Sequence, residues 1–370
     1  FILFCRVKYK HINFMNKTDS KNPYQILLYY KYTKVKDPEA FVAWHKEVCT
    51  QLGFKGRILI AHEGINGTLE GLVGHTEEYM RLMHEQDGSE GTFGNFSDVV
   101  FKISPGSVDG TSFPKMKVKA RKEVVTLGLE RYGEEDLDPN EMTGVHLDPV
   151  ELKKWYDSGE DFEIIDMRND YEFKVGHFKN SFNPEMDNFR DLAKVLHESD
   201  KLAQFKKASE EGKKIVTVCT GGIRCEKASG YLIRHGFKNV YQLDGGMHKF
   251  MEKFPGEDFL GSLYVFDGRE TVDFMERKPD GKRVVVGKCD VCNTQTERYS
   301  NCANIECHLK MLCCDNCVKA SIIEAEKMIE EDSSREEELR NILNVAHGFV
   351  FCSPECRECI MIKKGSAVLA

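Results

Sequence analysis

One stretch constrains the fold of this 370-residue chain more than any other: Ile215-Val216-Thr217-Val218-Cys219-Thr220-Gly221-Gly222-Ile223-Arg224-Cys225-Glu226-Lys227-Ala228. An apolar, β-branched run ends at a cysteine, a short loop with two glycines follows, and a helical pattern takes over. Similar apolar runs at 162–165 and 240–243 alternate with helical patterns at 149–158, 188–196 and 226–235. Strands of this kind, alternating with helices, imply a mostly parallel sheet covered on both faces. The unit they form is expected at 145–256.

The same stretch suggests chemistry. Successive backbone N–H groups in such a loop form a nest for an anion, and the helix start adds its positive end. A thiolate at Cys219 is then favoured and nucleophilic near neutrality, with Arg224 supplying a fixed charge at the far rim. Thr220, Gly221, Gly222 and Ile223 make up the supporting loop. Cys225 reads either as a resolving thiol or as a first-turn helix residue, with the supporting role favoured. The plainer alternative for Cys219 itself is a small buried hydrophobe; the paired glycines and the closing arginine weigh against it.

Upstream, 24–35 is aromatic and aliphatic, a strand pattern. Asp37-Pro38-Glu39 opens a helix that runs to Gly53. A strand at 57–62, a tight turn at Ile65-Asn66-Gly67-Thr68, a third strand, a helix at 75–86 and a strand at 99–103 give the order βαββαβ. That order predicts a ferredoxin-like α+β sandwich over 24–129. The acidic, Gly- and Pro-containing stretch 130–140 reads as a linker. Residues 1–23 are expected to be a disordered extension, and Met15-Asn16-Lys17 looks like a natural start, which would make 1–14 an upstream addition.

Within this first domain, Lys115, Lys117, Lys119 and Arg121 alternate with Met116, Val118 and Ala120. On a strand they share one face at about 7 Å spacing, a row suited to RNA phosphates; a solvated edge strand is the competing reading. His62, Glu63 and Asn66 either contact RNA or hold a turn. The net charge of −8 excludes an overall basic coat for bulk nucleic-acid binding.

Of 14 cysteines, 10 lie between Cys289 and Cys359. Cys289/Cys292, Cys302/Cys307, Cys314/Cys317 and Cys352/Cys356 form four pairs at knuckle spacing, enough for two structural zinc ions of four thiolates each. Interleaved and sequential pairings both satisfy the spacing. Cys313 and Cys359 are left over, and His308 is a possible substitute ligand. Iron–sulfur binding is the weaker rival. The region 257–370 is thus expected to be a small Cys-rich zinc-binding module, with a charged, solvated helical insertion at 320–344. No apolar run approaches a membrane span, and a cysteine pattern of this type in a chain of this length fits a cytoplasmic protein.

Four segments in order resemble the rhodanese family. They are the Cys219-x4-Arg224 loop, Asp166-Met167-Arg168-Asn169-Asp170-Tyr171-Glu172, Gly176-His177-Phe178-Lys179-Asn180-Ser181, and Val240-Tyr241-Gln242-Leu243-Asp244-Gly245-Gly246. In that pattern Asp166 and Arg168 brace the loop, bonding backbone and each other. Cys219-Thr-Gly-Gly-Ile-Arg-Cys-Glu-Lys-Ala is closer still to the rhodanese-like tRNA uridine hydroxylases. These are also similar to this chain at Ile60–Thr68, Phe113–Lys119 and Val265–Arg269. The resemblance implies oxygen-dependent 5-hydroxylation of uridine 34 in the tRNA anticodon region, with Cys219 and Arg224 as catalytic residues, molecular oxygen as co-substrate and a separate electron donor. No flavin or haem motif stands out. A thiosulfate or persulfide sulfurtransferase is the alternative enzyme, and a zinc-bearing RNA-binding module with an inert thiol is the non-enzymatic one.

Overall fold

The computed structural model describes residues 22–274, 284–304, 306–307, 309–346 and 348–362. The expectations for residues 1–21, His308 and 363–370, and for the side chain of Cys359, lie outside the described residues. The chain divides into two units, the first ending at Val124 and the second starting at Val125.

In the first unit the strands are β1 (Tyr24–Tyr32), β2 (Lys55–Ala61), β3 (Gly64–Leu72), β4 (Phe101–Pro105) and β5 (Met116–Ala120), and the helices are α1 (Pro38–Gln51) and α2 (Val73–His84). Asp37 caps α1 by accepting from the Ala40 N–H, and Pro38 occupies its first turn. Phe41, Val42, His45, Val48 and Cys49 follow at helical spacing and form its buried face. The sheet order is β4-β1-β3-β2-β5. β1, β2, β3 and β4 pair antiparallel, and β5 adds to the edge of β2 in parallel. Leu27, Tyr29, Ile58, Ile60, Ile65 and Leu69 point from the strands into a core shared with Phe41, Tyr79 and Met83 of the helices.

The expected turn at 65–68 is not there. Asn66 and Gly67 lie inside β3, and the β2–β3 reversal uses His62 and Glu63, between the paired Ala61 and Gly64. Gly67 serves another purpose: a Cβ at this position would lie 2.3 Å from the ring of Tyr29. The tyrosine ring crosses the strand where a side chain is missing.

The second unit begins at Val125, within the 24–129 range expected for the first domain, and takes in the 130–140 stretch expected to be a linker. Leu127, Leu129 and Leu137 are instead buried in its core, so this segment belongs to the α/β unit. There follow β6 (Val145–Leu147), α3 (Pro149–Ser158), β7 (Phe162–Asp166), α4 (Asp170–Val175), β8 (Gly176–Phe178), β9 (Ser181–Phe182), α5 (Asp191–Glu198), α6 (Ala203–Glu210), β10 (Lys214–Val218), α7 (Ile223–Arg234), β11 (Val240–Leu243) and α8 (Gly246–Lys253). The sheet is parallel, in the order β6-β11-β10-β7-β9. Ile215 packs into one core with Ile165, Leu192 and Tyr231, whereas Val216 and Val218 pack into another with Ile164, Trp155 and Phe250. This is the doubly covered sheet predicted from the apolar run, and β10 is its middle strand.

The cysteine-rich region is not a separate body. β12 (Phe259–Gly261) pairs with β8; β13 (Leu263–Tyr264) and β14 (Thr271–Val272) form a small hairpin, as do β15 (Tyr299–Asn301) and β16 (Lys310–Leu312). Tyr264, Tyr299 and Leu312 are buried against Val175 of α4, and the Tyr299 hydroxyl donates to the Tyr171 carbonyl at 2.7 Å. The charged insertion is two helices, α9 (Asp315–Glu331) and α10 (Glu336–Ala346), and a last helix, α11 (Pro354–Ile362), follows. The pair is not simply solvated: Ala325 and Ile329 of α9 share a core with Leu339 and Ile342 of α10. Asp332 breaks the run by accepting from the Ser334 N–H. Among the described residues, no helix is long and apolar enough to cross a membrane.

Candidate active site and metal centres

Cys219 stands just past the C-terminal end of β10, in the loop that leads into α7. Gly222 closes this loop with φ 103°, a left-handed conformation that favours glycine. The turn brings its N–H to 3.1 Å from the Cys219 sulfur. α8 holds the loop from the other side. Met247 N–H donates to the Cys219 carbonyl at 2.9 Å and His248 N–H to the Thr220 carbonyl at 3.1 Å. Gly246 makes this approach possible, because a Cβ there would lie 2.6 Å from the Cys219 carbonyl oxygen and 2.7 Å from the Gly222 nitrogen.

Cys219 is fully buried and packs at the apolar core of this unit, yet polar groups reach its sulfur. Burial pushes the thiol up; the hydrogen bond from the Cys225 thiol, the Arg224 charge and the N–H groups of Cys225 and Gly222 outweigh it and bring the pKa down to about 5. The Cys225 thiol, buried beside that anion, is held well above its usual value. One sulfur is thus a thiolate at neutral pH and the other remains its hydrogen-bond donor. Alkylation of Cys219 by iodoacetamide, followed by peptide mass mapping, should therefore be half-maximal near pH 5 and level above about pH 7. The thiolate is lost only as pH falls through that value, whereas an ordinary cysteine would still be gaining rate at pH 8.

Arg224 does not stand alone at the rim. Its Nη1 and Nη2 donate to the two carboxylate oxygens of Glu172, at 2.6 and 2.8 Å, and Nη2 also donates to Thr220 Oγ1 at 3.2 Å. Glu172 belongs to α4, where it also accepts from the Asn169 N–H as the return half of a capping box. Burial raises this carboxyl, but the charges of Arg224 and Arg168 hold it below the usual carboxylate range. Asp166 and Arg168 form a buried pair behind it (2.7 Å), and Arg168 also donates to the Gly176 and Glu172 carbonyls. In the sequence Glu172 stands only as part of a motif, and its distance from Cys219 in the chain hides its place beside the loop. Glu172→Ala would leave a buried guanidinium unpaired, and a loss of about 3–5 kcal/mol is expected, read as a lower urea midpoint.

Elsewhere in this unit His177 stacks on Phe173, with ring centroids 4.2 Å apart. At the far end of α7, Glu134, His197 and His235 converge to within 4.8 Å. Glu134 there accepts from the Tyr231 hydroxyl at 2.8 Å and lies 2.6 Å from His197 Nε2, so the cluster pins the 125–144 segment to the helix.

The eight paired cysteines gather into two groups, Cys289/Cys292/Cys314/Cys317 and Cys302/Cys307/Cys352/Cys356, with all sulfurs of a group within 4.8 Å of one another. The pairing is interleaved. One group flanks the base of the β15–β16 hairpin, and the other uses the loop at its tip. Sulfur–sulfur distances of 3.6 Å (Cys292–Cys314), 3.6 Å (Cys307–Cys352) and 3.4 Å (Cys352–Cys356) are near the roughly 3.8 Å edge of a tetrahedron with 2.3 Å metal–sulfur bonds. These residues can hold a metal ion in each group. Cys313 is outside both; burial and its neighbour Cys289 push its thiol up to about 12.

In the first unit, Lys115, Lys117, Lys119 and Arg121 are all exposed along the edge strand β5, while Val118 faces the core. His62 and Asn66 are engaged with backbone: His62 Nδ1 lies 3.2 Å from the Val35 carbonyl and Asn66 Nδ2 donates to the Val124 carbonyl at 3.4 Å. Glu63 accepts from the Val124 N–H at 2.7 Å. His62 also lines a shallow depression with Lys36, Arg121 and Lys122.

Comparison with known proteins gives matches along most of the chain. Residues 24–124 match the UPF0176 acylphosphatase like domain, residues 148–253 the rhodanese-like domain and residues 260–324 the rhodanase C-terminal domain. A Bacillus cereus (strain AH820) protein named tRNA uridine(34) hydroxylase is 45% identical over 295 residues, covering 79% of this chain and 84% of that one. A Bacillus anthracis (strain A0248) protein of the same name shares these figures. Among solved structures, a rhodanese-like domain from Anabaena sp. overlaps 31% of this chain and 78% of that chain, at 21% identity and a TM-score of 0.25.

Proposed function

The chain belongs to the tRNA uridine(34) hydroxylase family, and on that premise we propose that it hydroxylates C5 of uridine 34, in the tRNA anticodon region, with Cys219 and Arg224 as the catalytic pair. The observation that carries the reading is the Cys219 thiolate, held at the end of a parallel strand by backbone N–H groups, the Cys225 thiol and Arg224. Two courses begin from that anion. It adds to C6 of uracil and makes C5 electron-rich, or it carries oxygen as a sulfenic acid. Either way the balance is the same: uridine, O2, two electrons and two protons give 5-hydroxyuridine and water, so a separate electron donor is required. The sulfurtransferase alternative gains no support from the names of the relatives.

Thr220, Gly221, Gly222, Ile223 and Cys225 shape the thiolate loop, and Asp166 and Arg168 brace it through Glu172. Zinc fits the two four-cysteine groups and would have a structural role, since four thiolates leave no open position. Lys115, Lys117, Lys119 and Arg121 suit contact with the tRNA backbone, with His62 as a further phosphate contact. Asn66, tied to Val124, suits support of the sheet better than contact with RNA. A tRNA-modifying enzyme of this kind would work in the cytoplasm.

The test is nucleoside mass spectrometry of tRNA incubated with the full chain, a reductant and heavy-isotope oxygen gas. The expected product is 5-hydroxyuridine carrying one heavy oxygen. A product labelled from water would overturn O2 as the source. Unchanged uridine in tRNA that the protein demonstrably binds would overturn the reading as a whole.

A further inference from the structure

The hairpin turn between β13 and β14 carries an exposed aromatic ring. Phe266 is 53% exposed, and among the described residues it is the one aromatic among the large exposed hydrophobics. Its position is built rather than incidental. Arg269 donates twice to the carboxylate of Asp267, at 2.8 and 2.7 Å, and the Val265 and Glu270 N–H groups close the turn on either side. Below it the Phe266 ring meets Tyr264 edge-on at 5.2 Å, and Tyr264 meets Tyr171 and Tyr299 in the same way. The Arg224 guanidinium lies over one face of the ring, with its carbon 5.6 Å from the Phe266 centroid, and leaves the other face for a ligand. The N–H edges of that guanidinium are taken by Glu172 and Thr220.

We propose that Phe266 is the stacking platform for the pyrimidine ring of the target nucleotide, a binding subsite at the mouth of the Cys219 loop. The inference rests on the hydroxylase reading for the identity of the ligand. A base leaving an anticodon stack loses its neighbours, and a fixed, exposed aromatic face replaces one of them. Arg224 joins the two parts of the site, because the same side chain borders Phe266 and stabilises the sulfur anion.

The test compares Phe266→Leu and Phe266→Tyr in the full chain. With tRNA below saturation, the leucine variant should hydroxylate about tenfold more slowly or worse, and the tyrosine variant should restore most of the rate. The pH profile of Cys219 alkylation should match wild type in both. An unimpaired leucine variant would overturn the proposal, and so would a leucine variant whose thiol profile shifts along with its activity, since Phe266 would then act by holding Arg224. A second readout does not need turnover. Tryptophan emission in Phe266→Trp, measured against wild type, should be quenched by tRNA but not by tRNA lacking the base at position 34. Binding without quenching, or equal quenching by both tRNAs, overturns the platform. Base-dependent quenching with no hydroxyuridine formed by any variant or by wild type would instead sink the hydroxylase reading and leave the base-binding subsite standing.

Discussion

Replacing Cys219 with alanine is expected to lower hydroxylation of uridine 34 by at least about a thousandfold and to leave the chain folded. The two halves of this expectation have different physical grounds. Activity falls because the thiolate is gone, and Cys225, the neighbouring sulfur, is held as a thiol chiefly by its burial. The fold survives because the substitution strands no charge. Arg224 stays paired with Glu172 and Arg168 with Asp166, and the loop keeps its hydrogen bonds from Met247 and His248. Cys219→Ser sharpens the test. It preserves size and hydrogen bonding, but a hydroxyl does not ionise near neutrality, so it should be as inactive as the alanine variant. The measurement is nucleoside analysis of tRNA from cells expressing each variant, alongside soluble yield and melting temperature. Full 5-hydroxyuridine in cells that carry only the alanine variant would remove the thiolate from the mechanism.

What could be read from the sequence, and what could not, divides along the range of the interactions involved. The strand–loop–helix around Cys219 was legible because everything that shapes it lies within a few residues: the buried run of β10, the Gly222 turn and the start of α7. The α1 boundary was legible for the same reason, through Asp37 and Pro38. Interactions across the fold were not. Asn66-Gly67 has the composition of a turn, but both residues pair with β1, and Tyr29, far away in the chain, fills the space over Gly67. The 130–140 stretch has the composition of a linker, yet Leu137 and the nearby Leu127 and Leu129 are core residues. Glu172 could be seen as part of a motif but not as the partner of Arg224, since 52 residues separate them. The count of eight paired cysteines was plain, but spacing within pairs says nothing about which pairs meet; only the β15–β16 hairpin settles that.

That interleaved arrangement sets the second large effect. Removing bound metal with a chelator, or losing one candidate ligand through Cys292→Ser or Cys356→Ser, is expected to unfold the cysteine-rich region and to impair the Cys219 loop as well. Binding to four thiolates contributes apparent free energies of about 10–16 kcal/mol in small zinc modules, comparable with or above the roughly 5–15 kcal/mol stability of a whole domain. The apolar clusters here are small, led by Met311, Val318 and Val350 near one group and Ala325, Leu339 and Phe349 near the other, and cannot offset such a loss. Because one group grips the base of the hairpin and the other its tip, loss of either frees the strands that both share. The effect should then travel. Tyr299 of β15 donates to Tyr171 and Leu312 of β16 packs on Val175, and these two positions flank Glu172 in α4. With α4 loosened, the carboxylate that orients Arg224 is no longer held, and the Cys219 thiol should rise from about 5 toward the ordinary cysteine range. Native mass spectrometry should show two ions bound to the intact chain. The pH profile of Cys219 alkylation, run before and after chelation, reports the coupling directly. A metal-free protein that keeps both its circular dichroism and a thiol ionising near pH 5 would show that the hairpin stands without its ions and that α4 owes nothing to it.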